Sequence, residues 1–362
     1  MIFKNQYTWI DRLLHQVGFN TGQLQISIAD IEEIIFAKRL ESVQINRPVF
    51  VTALPRAGTT ILLNILVNSG EFASHTYRDM PFVICPMFWQ SFSRHFYKMD
   101  IEQERAHGDG LTISAGSPEA LEEIIWKIFW SKHYKHGQIK PWEEINDPVF
   151  IDFMRDHVRK IVAIRSDDIA QNSLRYISKN NLNIARLRCM RKIFPDCIII
   201  IPFREPLQHA ASLLKQHIRF LDMHKKDKFS QKYMKAIGHY DFGENHRPIN
   251  FDNWLSGNNE SDPLMLSYWI KYWIACYRHI ISMRANHIHM ISYSNLIERP
   301  SEALEKLNSV IQLEDSSLLL GQASSLKVPK IHTNSVSDIP ENLLETANEL
   351  YRELIHLSED VG

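Results

Sequence analysis

The chain has 362 residues, 44% hydrophobic and 23% charged, with 41 basic against 42 acidic side chains and a net charge of −1. That balance belongs to an ordinary globular protein with a large core and gives no basis for a nucleic-acid or anionic-membrane partner. Cys85, Cys189, Cys197 and Cys276 stand far apart without C-x-x-C spacing, which points to reduced thiols and away from a disulfide framework or a zinc site. The N-terminal stretch is interrupted by Lys4, Asp11 and Arg12 and lacks the apolar run of a signal peptide. No stretch reaches the ~18 apolar residues of a membrane span, so a soluble, cytoplasmic protein is expected.

Residues 1–47 predict two helices with a break from Gly18 to Gly22. Trp9, Ile10, Leu13, Leu14 and Val17 form one apolar stripe, and Ile31, Ile34, Ile35 and Leu40 form the next. The most informative stretch follows, Val49 to Leu66 (VFVTALPRAGTTILLNIL). It reads as a β-branched strand, a turn at Leu54-Pro55-Arg56-Ala57-Gly58, and an apolar helix from Thr59. The first N–H groups of such a helix and its dipole make an anion site. Thr59 and Thr60 add hydroxyl donors, and Arg56 adds a guanidinium fork suited to phosphate or sulfate oxygens. The nucleoside-triphosphate loop G-x-x-x-x-G-K-[ST] is not matched: Ala53 replaces its first glycine, Thr59 replaces its lysine, and the cation sits at Arg56. On these residues alone, a strand-to-helix turn that binds nothing is the competing reading.

Farther along, Phe82, Phe88, Trp89, Phe92 and Phe96 predict packing. Residues 101–123 hold a polar loop in which His107 and Asp109 lie beside glycines. An imidazole with an ordinary pKa near 6.5 suits proton removal, which makes His107 a candidate base beside the plainer reading of an exposed histidine. Ser117-Pro118-Glu119 predicts an N-cap and first turn for a helix that buries Leu121, Ile124, Ile125 and Ile128. Residues 141–173 predict helix. A strand at 175–179, a helix at 183–193 and a strand from 197 predict one compact βαβ unit with a right-handed crossover. Lys179, at the tip of its first strand, faces either ligand or solvent.

Cys197 to His217 (CIIIIPFREPLQHAASLLKQH) repeats the strand, turn and helix order. Arg204 leaves the strand, Pro206 opens the helix, and Ser212 lies about two turns along it, which makes a second anion grip. The lysines at 225, 226, 228, 232 and 235 predict a solvated helix face, with a basic lid as the alternative. A long loop at 238–263 suits acceptor recognition or a mobile flap. An aromatic helix at 264–283, a strand at 287–293 and helices at 300–311 and 340–357 complete the chain.

Through P-R-A-G-T-T at 55–60 and Arg204-Glu205-Pro206 with Ser212, the chain resembles the sulfotransferases that use 3'-phosphoadenosine 5'-phosphosulfate (PAPS). The resemblance covers about residues 48 to 312. Within that family, Arg56 looks like the arginine-bearing branch of tyrosylprotein sulfotransferases and many bacterial members. Glu205 stands where the family more usually has Asp or Asn. The resemblance implies one α/β domain over 1–362, with a central, mainly parallel sheet flanked by helices in a P-loop nucleoside-kinase-like fold. It divides into a helical segment at 1–47, a core at 48–312, and a C-terminal loop and helix at 313–362. It implies that Arg56, Ala57, Gly58, Thr59 and Thr60 hold the 5'-phosphosulfate, that Arg204 and Ser212 hold the 3'-phosphate, and that Arg56 stabilises developing charge. Asp79, before His107, is the implied base for a hydroxyl or amine acceptor of unidentified class, with no metal; the plainer reading of Asp79 is a surface carboxylate paired with Arg78 or another cation. Lys327 and Lys330 fall where the family has a closing basic loop. A kinase on the same fold, or a catalytically idle relative that binds the desulfated nucleotide, are the alternatives.

Overall fold

The structure is a computed structural model and describes residues 9–93, 103–104, 112–114, 116–169, 174–256, 262–326 and 339–359. Its strands in chain order are β1 (Val49–Val51), β2 (Phe72–Ala73), β3 (Gln103–Glu104), β4 (Thr112–Ile113), β5 (Arg175–Lys179), β6 (Ile198–Phe203) and β7 (Ile288–Ser292). Five of them form one sheet in the order β2-β5-β1-β6-β7, and every neighbouring pair is parallel. β3 and β4 make a separate antiparallel ribbon.

The strands read as unbroken apolar runs because both faces of the sheet are covered. Phe50, Tyr176, Ile199 and Ile201 point into one apolar cluster with the helices Pro148–Ile169, Pro206–Lys226 and Leu266–Ser282. Their alternates Val49, Val51, Ile177, Ile198 and Ile200 point to the other face, against the helices Thr59–Val67 and Pro300–Ile311. Each fully buried side chain of this size contributes about 1.5–3 kcal/mol. The pleat thus sorts consecutive apolar residues onto two cores, with β1 at the centre of the sheet.

Four expectations change. The strands at 175–179 and 198–203 are not neighbours, since β1 pairs with both and lies between them. The connection from β5 to β6 therefore steps over the central strand. Its helical part splits into a 3-10 turn, Asn181–Arg186, and a short helix, Leu187–Ile193. Ser117 does not cap a helix: its hydroxyl accepts from the Ser114 N–H at 2.9 Å, and Pro118 bridges to Thr76. The helix instead begins at Glu123, because Glu122 and Glu123 are drawn into a buried polar network. The long loop at 238–263 is partly structured, with 3-10 turns at Gly243–Asn245 and Phe251–Asn253.

The lysines at 225, 226, 228, 232 and 235 are all exposed, and Lys226 and Lys228 pair with Asp222 and Glu244. The C-terminal helix Glu341–Glu359 buries Ala347, Leu350 and Leu354. Among the described residues, no helix is long and apolar enough to cross a membrane.

Candidate active site

The site is assembled at the carboxyl ends of β1, β5 and β6. After β1 the chain turns sharply: the Ala57 N–H donates to the Leu54 carbonyl at 3.3 Å, and Arg56 takes φ 69°. Pro55 presets the second position of this turn, and a non-glycine residue at positive φ in the third costs about 1 kcal/mol. Such an outlier persists because its neighbours hold it in place. Gly58 follows at φ 105°, and a Cβ there would lie 2.6 Å from Cδ2 of Tyr293. Both its conformation and the close approach of the ring require glycine. The helix Thr59–Val67 starts immediately, so its first N–H groups open onto the turn.

The second motif is built the same way. Arg204 leaves β6, and the Glu205 carboxylate caps the next helix by accepting from the N–H groups of Leu207 and Gln208 at 3.0 and 2.7 Å. Pro206 takes the first helical position. Three bonds then join the motifs. Arg204 donates from its guanidinium to the Arg56 carbonyl at 3.1 Å. The Arg56 Nε donates to Ser212 Oγ at 3.4 Å. His209 donates from Nε2 to the Pro55 carbonyl at 2.8 Å, and burial, with the nearby arginines, lowers its pKa to about 3, so the ring is neutral.

Two guanidiniums are therefore held side by side. The Arg204 plane lies 4.8 Å from the centre of the Tyr293 ring, and its pKa is lowered by burial and by the Arg56 charge against the opposing pull of Tyr293. Cations gathered at a half-buried spot beside a helix N-terminus form a cradle for an anion. Lys179, at the end of β5, is 8% exposed and in register with Val51, and is not a solvated turn lysine.

Sequence reasoning passed over three residues here. Tyr293 and His209 carry no motif, because only the fold brings β7 and the second helix against the first loop. Asn181 lay inside a predicted turn, and its contacts with Thr52 and Thr59 depend on β5 lying beside β1.

Asp79 takes a different position. It is 4% exposed, accepts from the Thr76 N–H at 2.9 Å, meets His75 Nδ1 at 3.2 Å and pairs with Arg165. Burial works to raise its pKa, but the Arg165 charge and the His75 hydrogen bond outweigh it and hold the carboxyl at about 2. A carboxylate so stabilised is a weak proton acceptor. It anchors the segment between β2 and the helix Pro86–Ser93. His107, Lys327 and Lys330 lie outside the described residues. Among the described residues, no group of His, Cys, Asp and Glu is arranged to hold a metal ion.

A model of a sulfotransferase family matches residues 48–247, a segment that contains both motifs. No curated protein matches the sequence. Among solved structures, a sulfotransferase from Mycobacterium avium aligns over 94% of this chain and 84% of its own, with TM-score 0.51 and 11% identity. One from Mycobacterium tuberculosis H37Rv aligns over 95% and 86%, with TM-score 0.48 and 13% identity. A third, from Alicyclobacillus acidocaldarius, aligns over 87% and 95%, with TM-score 0.38 and 12% identity. At such identities the likeness is one of fold, and the Mycobacterium avium structure carries it.

Proposed function

Since this chain belongs to the sulfotransferase family, we propose that it moves the sulfuryl group of PAPS to a hydroxyl or amine acceptor by in-line transfer. The observation that supports this reading most is the joining of the two motifs. Arg56 touches Ser212, and Arg204 touches the Arg56 backbone, although about 150 residues separate them in the chain. One basin thus offers two anion grips, as a nucleotide with phosphates at both its 3' and 5' positions demands.

In this reading the loop N–H groups from Ala57 to Thr60 and the hydroxyl of Thr60 hold the 5' end. Arg204 and Ser212 hold the 3'-phosphate, which ADP and ATP lack. Bound PAPS supplies an activated sulfuryl group. The chain supplies fixed positive charge where negative charge grows, from Arg56. Asp79 holds its segment in place, and the proton leaves the acceptor through another group. We assign one domain to the chain. The four unpaired, buried cysteines support a cytoplasmic setting.

The test compares adenosine 3',5'-bisphosphate with ADP, with and without Mg²⁺, by calorimetry and thermal melting. A ligand at a hundred times its Kd adds about 2.7 kcal/mol, which raises the melting point by several degrees. The expected result is stabilisation by the 3',5'-bisphosphate alone, without metal, and its loss in Arg204→Ala. Equal stabilisation by ADP with Mg²⁺ would point to phosphoryl transfer instead. Tight bisphosphate binding with no turnover over a broad acceptor panel would mark an idle relative.

A further inference from the structure

We infer that Asn181 is a positioning residue of the sulfuryl-transfer site, and that Asp241 sets its orientation; this rests on the function proposed above. Asn181 bonds to both ends of the anion loop. The Thr52 hydroxyl, at the end of β1, donates to the Asn181 carbonyl at 3.4 Å. The Thr59 hydroxyl, at the start of the following helix, donates to Asn181 Oδ1 at 3.4 Å. Thr52 and Thr59 are buried and bracket the six residues from Ala53 to Gly58. One side chain and its own backbone thus set the span of the whole turn.

The third bond gives the amide its direction. Asn181 Nδ2 donates to Asp241 Oδ2 at 3.2 Å. An ionised carboxylate only accepts, so it faces the NH₂ group and turns the amide oxygen toward Thr59. Asp241 is itself held from the far side. Its carbonyl accepts from His246 Nδ1 at 2.7 Å, and the following turn is pinned where the N–H groups of Gly243 and Glu244 donate to Nδ1 of His217 and His224 at 3.2 and 3.1 Å. The loop between residues 239 and 247 thus reaches Thr59 of the anion loop through one amide.

Placing Thr59 matters because its N–H locates the bound anion, and a misplacement of about 1 Å costs on the order of 10²-fold in rate. Asn181→Asp sets a carboxylate against Asp241 and converts attraction into repulsion. It is expected to lower kcat on the order of 10²-fold and to weaken binding of adenosine 3',5'-bisphosphate. The exchanged pair Asn181→Asp/Asp241→Asn restores both contacts: the carboxylate at 181 accepts from Thr59 and from the amide at 241. Most of the loss is expected to return. All variants are assayed well below their melting points, where a residue that only stabilised the fold would leave kcat unchanged.

A folded Asn181→Asp protein with wild-type kcat and bisphosphate affinity overturns the proposal while leaving the function intact. So does an exchanged pair no better than the worse single variant. Wild-type protein that does not bind the bisphosphate overturns the function, and this role with it.

Discussion

Arg56 shows how much one residue can combine. Its backbone sits at positive φ, its carbonyl accepts from Arg204, and its Nε donates to Ser212. Replacing it with alanine removes a preorganised charge, and kcat is expected to fall by ~10²–10³ while the protein still folds. A variant with near wild-type turnover would take Arg56 out of the chemistry. Asp79 offers the contrasting case. A carboxyl whose pKa is depressed to about 2 stabilises the fold above its unfolded value near 3.8 and loses that contribution as the pH falls through 2. The difference corresponds to about 2 kcal/mol, and Asp79→Asn should flatten the acid limb of a stability curve measured by urea unfolding. Arg56 was legible in the sequence because its role comes from neighbours in the chain. The setting of Asp79 was not, because Arg165 and His157, the latter 3.0 Å from His75, come from a helix far along the chain.

At the scale of elements, the exit of β5 depends on a buried polar cluster. Glu123 pairs with Arg186, which is fully buried, and accepts from Tyr134 and from Asn180 Nδ2, the latter at 2.7 Å. Glu122 accepts from Asn183 at 2.9 Å and from Tyr176 at 3.2 Å. The Arg186 guanidinium also lies 3.8 Å from the centre of the Trp126 ring. Breaking a buried pair from one side leaves an uncompensated charge, so Glu123→Gln should cost about 3 kcal/mol. A shift of the urea midpoint is the measure, and a change within error would mean that water or relaxation replaces the carboxylate. This cluster explains why the helix begins at Glu123 and not at Ser117-Pro118-Glu119. Local capping grammar loses to a buried arginine that needs its partner.

For the whole molecule, the N-terminal helices are tied to the body by buried charge. Lys160 donates to the Ala29 carbonyl at 2.6 Å and lies 3.5 and 3.3 Å from Glu32 and Glu33. Burial raises the Glu32 pKa to about 7, against the pull of the Phe88 N–H and of Lys160. A raised carboxyl contributes stability that is full below its unfolded value of 4.5 and is lost as the pH rises through 7. Relative to Glu32→Gln, the wild-type urea midpoint should therefore fall between pH 4.5 and 7 by the equivalent of about 3 kcal/mol, because the buried histidines titrate alike in both proteins. A constant difference across that window would take Glu32 out of the pH dependence.

By itself, the sequence determined four of the five strands of the main sheet, most of the helices between them and the two motifs with their charges. Those features arise from residues close in the chain, through apolar periodicity, turn chemistry and helix starts. Tertiary structure alone decided the strand order, with β1 between β5 and β6, and everything that follows from it. That order sets Ser212 against Arg56, Tyr293 against Gly58, and Asn181 between Thr52 and Thr59. Local pattern states which residues form a strand, but pairing is chosen by burial of both sheet faces, a property of the whole chain. The ionisation of Asp79 and Glu32 was decided at the same level, since burial and partners from distant elements set a carboxyl's pKa.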